Sequence, residues 1–323
     1  PYWLLCESVG RPAARQWWEL CREGVDALAG WLGDSADCAR GGLMQLAVNQ
    51  AELEEMKRGV AWLSEDGFEP RMMSDAAATN MVNVAGNLGV TYLPGALRFD
   101  PALALVRLSE RLLEREGGYF EESGAVQVDL DNPPGVKVAT ALGLVEAEVA
   151  VLAAGHGNAA LAPEMGRRLF PLRGQCLATA PLPAGMRGAT VAVTANRGHE
   201  CYRSLPDGRL LVAGIHPASG YREKTETLEV DPVFQSHLER FLGERCPEAS
   251  GARISNRWAC VYTWSADGLP LVGPLPGHIR VYLASGFASR SWSLGVGAGR
   301  LIARMLAGET VRFPTGSSPR RFL

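Results

Sequence analysis

The spacing of apolar residues changes twice along this chain of 323 residues, near residue 170 and again near residue 265. Before residue 170, segments with helical spacing are mixed with short apolar runs. Between 170 and 265, alternating apolar and polar residues are separated by turns such as Pro-Asp-Gly at 206–208. Alternation with a period of two is typical of antiparallel strands, whereas mixed helices and strands are typical of α/β units. We therefore predict two discontinuous domains, with α/β pieces at both ends of the chain around an antiparallel sheet.

The individual segments follow this division. Helices are predicted at 8–32, 50–67, 100–118, 231–247 and 296–307. Strands of the α/β type are predicted at 41–48, 125–130, 135–140, 144–152 and 279–285. Antiparallel strands are predicted at 174–182, 189–195, 199–205, 208–215 and 257–265.

Composition excludes several classes of function. A formal net charge of -3 with scattered lysines and arginines argues against nucleic-acid binding. No apolar run approaches the length of a membrane span, and the N-terminus lacks a signal-peptide pattern. The seven cysteines are widely spaced and never form a C-x-x-C pair, which favours reduced thiols over disulfides or a zinc site. We therefore expect a cytoplasmic protein that acts on a small molecule and has no metal site.

A candidate dinucleotide motif lies at 155–160, where GHGNAA matches G-x-G-x-x-A directly after a predicted strand. However, Pro163 follows where the helix of such a motif should continue. No acidic residue ends a strand about 20 residues later to bind a ribose hydroxyl. We predict that the segment lines the rim of a nucleotide site. A nicotinamide-dependent dehydrogenase that uses GHGNAA stays the alternative.

A second candidate site is the segment GFASRSWSLGVGAGR at 286–300. A strand, a loop of small residues and a helix N-terminus together present backbone N–H groups and a positive dipole to an anion or an electron-rich ring. Arg290 would add a permanent positive charge. An ordinary strand-to-helix turn with a solvated arginine is compatible with the same pattern.

A third candidate is the predicted strand at 199–205, whose side chains alternate between two faces. One face carries His199, Cys201 and Arg203, and the other carries Glu200, Tyr202 and Ser204. His216 ends the next predicted strand. Aromatic and imidazole groups that converge from neighbouring strands make a substrate pocket possible, although a single tyrosine or histidine in a sheet is usually structural.

Four segments together resemble the D-amino-acid-oxidase-like superfamily of FAD-dependent oxidoreductases, which includes glycine oxidase, γ-glutamylputrescine oxidase and monomeric sarcosine oxidase. They are PLRGQCLA (171–178), ANRGHECYRSLPDGRLLVAG (195–214), DGLPLVGP (267–274) and GFASRSWSLGVGAGRLIA (286–303). The resemblance implies an α/β fold, with a Rossmann-like FAD/NAD(P)-binding domain and an α+β substrate domain built on an antiparallel sheet. The FAD domain would comprise a helical segment at 1–34 with 100–170 and 266–323, and the substrate domain would comprise 35–99 and 171–265.

The resemblance also implies roles for individual residues. Cys260 stands where the sarcosine oxidase branch attaches FAD covalently, within the joint pattern Cys260, Tyr262, Thr263 and Asp267. Tyr202 and Tyr262 match active-site tyrosines, and His216 matches a histidine on the substrate side. The remaining implied cofactor contacts are Val126 at the adenine, Ala153, Ala154 and Gly155 in a nucleotide-lining turn, and Gly286, Phe287, Ala288, Ser289, Arg290, Ser291, Trp292 and Ser293 along the pyrimidine edge of the flavin.

Three departures from the family pattern accompany this resemblance. Val212 or a neighbour stands where the sarcosine oxidase branch has its oxygen-activating lysine, and Ser293 where it has a substrate-binding lysine. The family's N-terminal G-x-G-x-x-G unit is absent from 1–323, so we expect these residues alone to bind FAD weakly.

The resemblance implies hydride transfer from the carbon beside a neutral amine to flavin N5, giving an imine that hydrolyses. A non-catalytic remnant or subunit of such an enzyme is the other alternative.

Overall fold

The structure is a computed structural model that describes residues 1–34, 38–74, 77–78, 81, 85–129, 135–183, 191–215 and 222–322. The α-helices among these residues are α1 (Tyr2–Val9), α2 (Arg11–Leu32), α3 (Gln50–Glu65), α4 (Pro101–Leu113), α5 (Asn158–Leu161), α6 (Pro232–Arg245) and α7 (Val296–Leu306). The strands are β1 (Cys38–Arg40), β2 (Leu43–Ala47), β3 (Arg71–Met73), β4 (Gly89–Leu93), β5 (Leu97–Phe99), β6 (Ala125–Asp129), β7 (Val136–Thr140), β8 (Gly143–Ala147), β9 (Ala150–Leu152), β10 (Leu169–Thr179), β11 (Ala192–Ala195), β12 (Glu200–Ser204), β13 (Leu210–Gly214), β14 (Ile254–Ser265), β15 (Leu271–Pro274) and β16 (Val281–Ser285).

The chain forms two compact units. Unit 1 comprises 1–14, 33–99 and 172–261, and unit 2 comprises 15–32, 100–171 and 262–323. Mixed helices and strands with several sheets confirm the predicted α/β fold class. The predicted division into a cofactor domain and a substrate domain stays a prediction.

Unit 1 contains most of an eight-stranded sheet with the order β14-β10-β13-β12-β11-β2-β4-β3. Strands β10, β13, β12 and β11 pair antiparallel, as their alternating sequences predict. Strand β2 instead pairs parallel with β11, with Met44 opposite Val193. Apolar side chains from one face of the sheet pack with helix α6 in a core that includes Met44, Leu177, Tyr202, Val212, Phe234, Leu238 and Phe241.

A buried ion pair in unit 1 ties strand β10 to the chain segment that precedes α6. Arg173 Nε donates to Glu223 Oε2 at 2.8 Å, and a second guanidinium nitrogen donates to Oε1 at 3.1 Å. The Gln175 side chain donates to the same carboxylate at 3.1 Å and accepts from the Asp231 N–H at 3.0 Å. Removing one member of such a pair leaves the other charge buried without a partner. The pair therefore fixes the residues that lead into α6.

Unit 2 contains a three-stranded sheet with the order β15-β16-β9 and a separate antiparallel sheet, β6-β7-β8. Strands β9 and β16 pair parallel, with Leu152 opposite Leu283. Helix α7 packs on the first sheet through Ala298 and Ile302, which lie in one cluster with Val272. This packing fixes where the chain leaves β16 and enters α7.

Helix boundaries follow local signals in the sequence. Helices α4 and α6 both begin with an Asp-Pro pair. The Asp100 carboxylate accepts from the Ala102 N–H at 2.8 Å, and the Asp231 carboxylate accepts from the Val233 N–H at 2.8 Å. A capping aspartate followed by proline is favoured because the carboxylate binds free N–H groups and proline needs no N–H partner there.

Two segments that were predicted as single elements are each two elements in the structure. The helix predicted at 8–32 is two helices, because Gly10 adopts a φ of 79° and separates α1 from α2. The strand predicted at 144–152 is also two strands: β8 belongs to the β6-β7-β8 sheet, whereas β9 pairs with β16. The sequence analysis also missed β3 and β4, which pair antiparallel at the edge of the large sheet.

Candidate functional site

The two parallel strands of unit 2, β9 and β16, end at the same edge of their sheet. The turn after β9 and the turn after β16 contact each other, since Ser285 Oγ donates to the Gly155 carbonyl at 3.2 Å. The edge at which parallel strands end is the usual place for a ligand in an open α/β sheet. The predicted residues Ala153, Ala154, Gly155 and Gly286 all lie at this edge.

Glycine is required at both turns. Gly155 has a φ of 61° and Gly286 a φ of 75°, a conformation that L side chains rarely adopt. A Cβ at Gly155 would lie 3.2 Å from Thr263 Oγ1, and a Cβ at Gly286 would lie 3.2 Å from the Ser265 Cβ. Both turns therefore run close against the end of β14.

Asn158 is a residue of this edge whose individual role the sequence analysis missed, although it lies within GHGNAA. Its side chain is fully buried, and Oδ1 accepts from the Ala154 N–H at 3.0 Å. Its Nδ2 group has no hydrogen-bond partner in the described part of the chain. Burying a polar donor without a partner is costly. Asn158 therefore presents an unused hydrogen-bond donor next to the turn at 153–155.

The helix that follows the GHGNAA turn is short, as Pro163 predicts. Residues Gly155–Gly157 form a single 3₁₀ turn, and α5 ends at Leu161 before Pro163 starts another 3₁₀ turn. The predicted break of the helix is confirmed. A helix of four residues has little of the dipole that a phosphate site needs.

The predicted flavin loop is helical rather than open. A 3₁₀ turn spans Ala288–Arg290, a π-helical turn spans Ser291–Gly295, and α7 follows directly. The Val296 N–H donates to the Ser293 carbonyl. The prediction of free N–H groups at 296 is therefore wrong, because the helical run begins several residues earlier.

Helix α2 packs tightly against this loop within unit 2. A Cβ at Gly24 would overlap the Ser293 carbonyl oxygen and lie 2.9 Å from the Gly297 nitrogen. Gly297 in turn faces the backbone of Leu20. The two glycines allow α2 to approach the backbone of 293–297, which fixes the loop.

Arg290 carries the charge of this loop. Arg290 is an exposed residue. Partial desolvation by the surrounding protein lowers the pKa of its guanidinium, and the electrostatic effect of the Cys21 sulfur on α2 raises it. Burial raises the pKa of the Cys21 thiol, and a hydrogen bond with Ser293 and the charge of Arg290 oppose this. Among the described residues, no carboxylate forms an ion pair with Arg290. The flavin loop therefore carries a positive charge that pairs with no carboxylate among the described residues.

Trp264 is a second residue that the sequence analysis missed. It lies near the end of β14 and forms an isolated antiparallel bridge with Phe287 of the flavin loop. Its indole N–H is buried and has no acceptor among the described residues. The unpaired indole N–H, which only the structure reveals, is the signal that distinguishes Trp264.

The four residues Cys260, Tyr262, Thr263 and Asp267 do not form one cluster in the structure. Asp267 binds Arg321 through two bonds of 2.6 and 2.9 Å and accepts from the Leu269 N–H at 3.1 Å. Burial disfavours the charge of Asp267, but Arg321 and the Leu269 N–H outweigh burial and lower its pKa. Asp267 therefore stabilises the turn that follows β14. Tyr262 and Thr263 lie in unit 2, and Cys260 lies in unit 1.

The structure places Tyr202 in the hydrophobic core of unit 1. Its side chain is 1% exposed. Its ring packs edge-on against Phe241, with 6.2 Å between the two ring centroids, and its hydroxyl donates to the Arg245 carbonyl at 3.4 Å. Burial raises the pKa of Tyr202 well above its usual range. This placement does not support contact with a substrate.

The remaining predicted residues lie in three places along the chain. Val126 is 67% exposed on strand β6. His216 lies outside the described residues. Ser289 and Ser291 are exposed in the flavin loop, and Phe287, Trp292 and Ser293 are partly buried there. The structure therefore brings together the two turns and the flavin loop, all within unit 2.

The fold is that of a flavin-dependent oxidoreductase. The chain belongs to the DAO family, described as FAD dependent oxidoreductase, which matches residues 4–305. The family predicted from the four segments is confirmed.

Two curated relatives are similar to this chain over most of its length. A D-amino acid dehydrogenase of Xylella fastidiosa (strain 9a5c) is 25% identical over 297 residues, which are 89% of this chain and 66% of the relative. A glycine oxidase of Bacillus licheniformis is 26% identical over 282 residues, 84% of this chain and 70% of the relative. The chain thus spans about two thirds of the length of the D-amino acid dehydrogenase.

Solved structures show the same fold. Glycine oxidase from Geobacillus kaustophilus superposes with a TM-score of 0.80 at 21% identity, covering 95% of this chain and 82% of that one. L-proline dehydrogenase from P. horikoshii superposes with a TM-score of 0.82 at 18% identity, covering 96% and 83%.

Within the described ranges, none of the helices has an apolar stretch of the length that a membrane span requires. No group of three or more histidine, cysteine or acidic side chains in the same part of the chain could hold a metal ion.

Proposed function

We propose that this protein is an FAD-dependent oxidoreductase that oxidises the C–N bond of an amine or amino acid. The observation that carries the proposal is a pair of buried hydrogen-bond donors at the edge of the β9 and β16 sheet, Asn158 Nδ2 and the Trp264 indole N–H, which have no partner among the described residues. The exposed Arg290 guanidinium, which pairs with no carboxylate in the same part of the chain, adds a positive charge in the flavin loop. A flavin nucleotide is rich in acceptors, so donors without partners in the protein suit it. The names of the two curated relatives support an amino acid as substrate.

The residues present fit FAD at this edge. Gly155 and Gly286 leave no side chain on the turns that would face the nucleotide, and Asn158 adds a buried donor beside them. Bound FAD supplies the hydride acceptor. Arg290 would stabilise negative charge on the bound flavin, because a fixed cation needs little reorganisation.

We assign two residues to binding of the substrate, on the ground of the family resemblance. The family resemblance assigns Tyr262, on strand β14, to the substrate side, and it assigns His216, which lies outside the described residues, to the same role. The amine must be neutral to react, so these residues would stabilise its unprotonated form. Tyr202 is left out of this assignment because it belongs to the core of unit 1.

Anaerobic reduction of the flavin tests this function. The intact protein is mixed without oxygen with glycine, with single D- and L-amino acids and with secondary amines. We expect one class to bleach the flavin absorbance and to yield ammonia or an amine and a carbonyl product. Reduction of added NAD instead would favour a nicotinamide-dependent enzyme. Intact protein that carries no flavin would favour a non-catalytic remnant.

We expect oxygen to be a poor electron acceptor. A cation beside the flavin stabilises developing superoxide, but the lysine of the sarcosine oxidase branch is matched here by Val212 or a neighbour, and Val212 is fully buried in the core of unit 1. Its strand partners, Leu177 and Tyr202, are buried as well. Dye-linked turnover should exceed hydrogen peroxide formation in parallel assays on one preparation. Equal rates would show that another cation, such as Arg290, activates oxygen.

Cys260 is expected to form a thioether to the flavin ring in the intact protein. Cys260 lies in the interior of strand β14, which would hold the sulfur in place for a bond to the 8-methyl group of the ring. Acid precipitation tests the bond. We expect the yellow colour to stay in the pellet for the wild type and to pass to the supernatant for Cys260→Ala. Colour released from the wild type would show that FAD is held without a covalent bond.

A further inference from the structure

The large sheet of unit 1 has one buried face and one partly exposed face. The side chains that point toward α6 are buried, such as Val193 on β11, Tyr202 on β12 and Val212 on β13. Successive residues of a strand point to opposite faces, so the residues between them point away from α6. On these three strands we call them the outer face, and all six are partly exposed: Ala192, Thr194, Cys201, Arg203, Leu211 and Ala213.

The outer face carries one charge among small side chains. Strand register places Thr194 beside Cys201, Cys201 beside Ala213, and Arg203 beside Leu211. Hydroxyl, thiol and methyl groups are short, so they leave room above the sheet for a small molecule. Arg203 is the only charged member of the six. The outer face therefore offers a small ligand one positive charge.

Two interactions locate the Arg203 guanidinium. Its Nη2 donates to the Phe99 carbonyl at 3.2 Å, which limits the movement of the side chain. Burial raises the pKa of the Cys201 thiol to about 11, and the charge of Arg203 acts in the opposite direction. The guanidinium therefore lies close enough to Cys201 to act on its thiol. A guanidinium presents five N–H donors in a planar fork that matches a carboxylate.

The acidic residue of β12 lies on the other face of the strand. Glu200 is fully buried, and its carboxylate accepts from Asn196 Nδ2 at 2.8 Å and contacts His237 Nε2 of α6 at 2.8 Å. Glu200 is therefore separated from Arg203 by the sheet itself. A carboxylate that enters from solvent meets the positive charge of β12 without meeting its negative charge.

We infer that Arg203 binds the carboxylate of an α-amino-acid substrate on the outer face. This inference rests on the proposed function and narrows its substrate from any amine to one that carries a carboxylate. A bidentate pair of arginine and carboxylate fixes the orientation of the ligand as well as its affinity. The small side chains beside Arg203 leave space for the rest of an amino acid.

Substrate pairs that differ only in the carboxylate test this role in the intact protein. The pairs are glycine with methylamine, alanine with ethylamine, and proline with pyrrolidine. Arg203→Met should raise KM for the amino acid by about 10- to 100-fold, because a hydrogen-bonded charge is lost, and should leave kcat/KM for the amine unchanged. Arg203→Lys should have a smaller effect because it keeps the charge and loses the fork.

Arg209→Met is the matched control for these kinetics. Arg209 lies in the turn between β12 and β13, and its Nε pairs with Asp207 at 2.7 Å. Both side chains are partly exposed, so their pair adds little to stability. Kinetic constants for the amino acid and for the amine should both stay at the wild-type values.

Chemical labelling of the wild type tests the same site without any variant. Phenylglyoxal modifies accessible arginines, and peptide mass mapping reports the rate at each of them. Sodium propionate is the probe because it carries a carboxylate and has no amine to oxidise. We expect propionate to slow the labelling of Arg203 relative to sodium chloride at equal ionic strength. Arg209 should be labelled at the same rate in both salts.

Three results would overturn the inference. They are an unchanged KM for the amino acid in Arg203→Met, equal labelling of Arg203 in propionate and chloride, and loss of flavin from Arg203→Met, which would assign its charge to the cofactor. If Arg203→Met does not fold, the labelling of the wild type decides. Protection of Arg203 in a protein that oxidises no amine would contradict the proposed function and keep the carboxylate site.

Discussion

Arg290→Met is expected to lower kcat/KM for the amine substrate by on the order of 10²- to 10³-fold, the usual effect of removing one preorganised charged donor from an active site. Arg290 has no carboxylate partner among the described residues. Its charge is therefore available to the flavin and substrate. Steady-state kinetics under dye-linked conditions measure the effect.

Arg304→Met is the matched control for this prediction. Arg304 lies on α7 near the flavin loop in sequence, but it pairs with Glu309 at 2.7 Å and both side chains are half exposed. Exposed pairs of this kind contribute only about 0–1 kcal/mol, so kcat/KM should not change. Arg290→Lys should fall between the wild type and Arg290→Met because it keeps the charge and loses the planar fork. Unchanged kinetics in Arg290→Met would remove Arg290 from the site.

Gly24→Ala is expected to destabilise the protein, whereas Gly30→Ala on the same helix is expected to stabilise it. Alanine in place of glycine within a helix normally adds about 0.5–1 kcal/mol, and at Gly30 nothing lies within 4 Å of the new Cβ. At Gly24 the Cβ would meet the backbone of Ser293 and Gly297. Backbone atoms cannot rotate away, so the overlap should cost about 1–3 kcal/mol in the free energy of unfolding.

Urea denaturation of the two variants measures this difference. We also expect Gly24→Ala to weaken FAD binding, because α2 can accept the new methyl group only if the loop that carries Arg290 moves. Gly30→Ala should leave FAD binding unchanged. Equal stability changes in the two variants would show that the close approach of α2 to Ser293 does not exist in the protein.

Much of the fold could be predicted from local sequence. The Asp-Pro pairs at 100–101 and 231–232 predicted where α4 and α6 begin, because capping depends on neighbours two or three residues away. The break before Pro163 was predicted for a similar reason. Strands β3 and β4 were missed because their apolar runs are short and gain stability from partners distant in the chain.

The site was predicted less completely. The family resemblance pointed to the turns at 153–155 and 286, and glycine after a strand is a local signal in both of them. Asn158 and Trp264 were missed as donors, since an unpaired group can be recognised only when its surroundings are known. Asp267 was assigned to the cofactor pattern, but its partner Arg321 stands 54 residues later.

The sequence by itself determined the α/β class, the family and the alternation of side chains along β12, since these depend on local spacing and on motifs. Only the tertiary structure decided which face of β12 is the core, and it placed Tyr202 against Phe241 of helix α6. Local spacing fixes which side chains share a face, but the free energy gained by packing and pairing distant segments decides what each face meets.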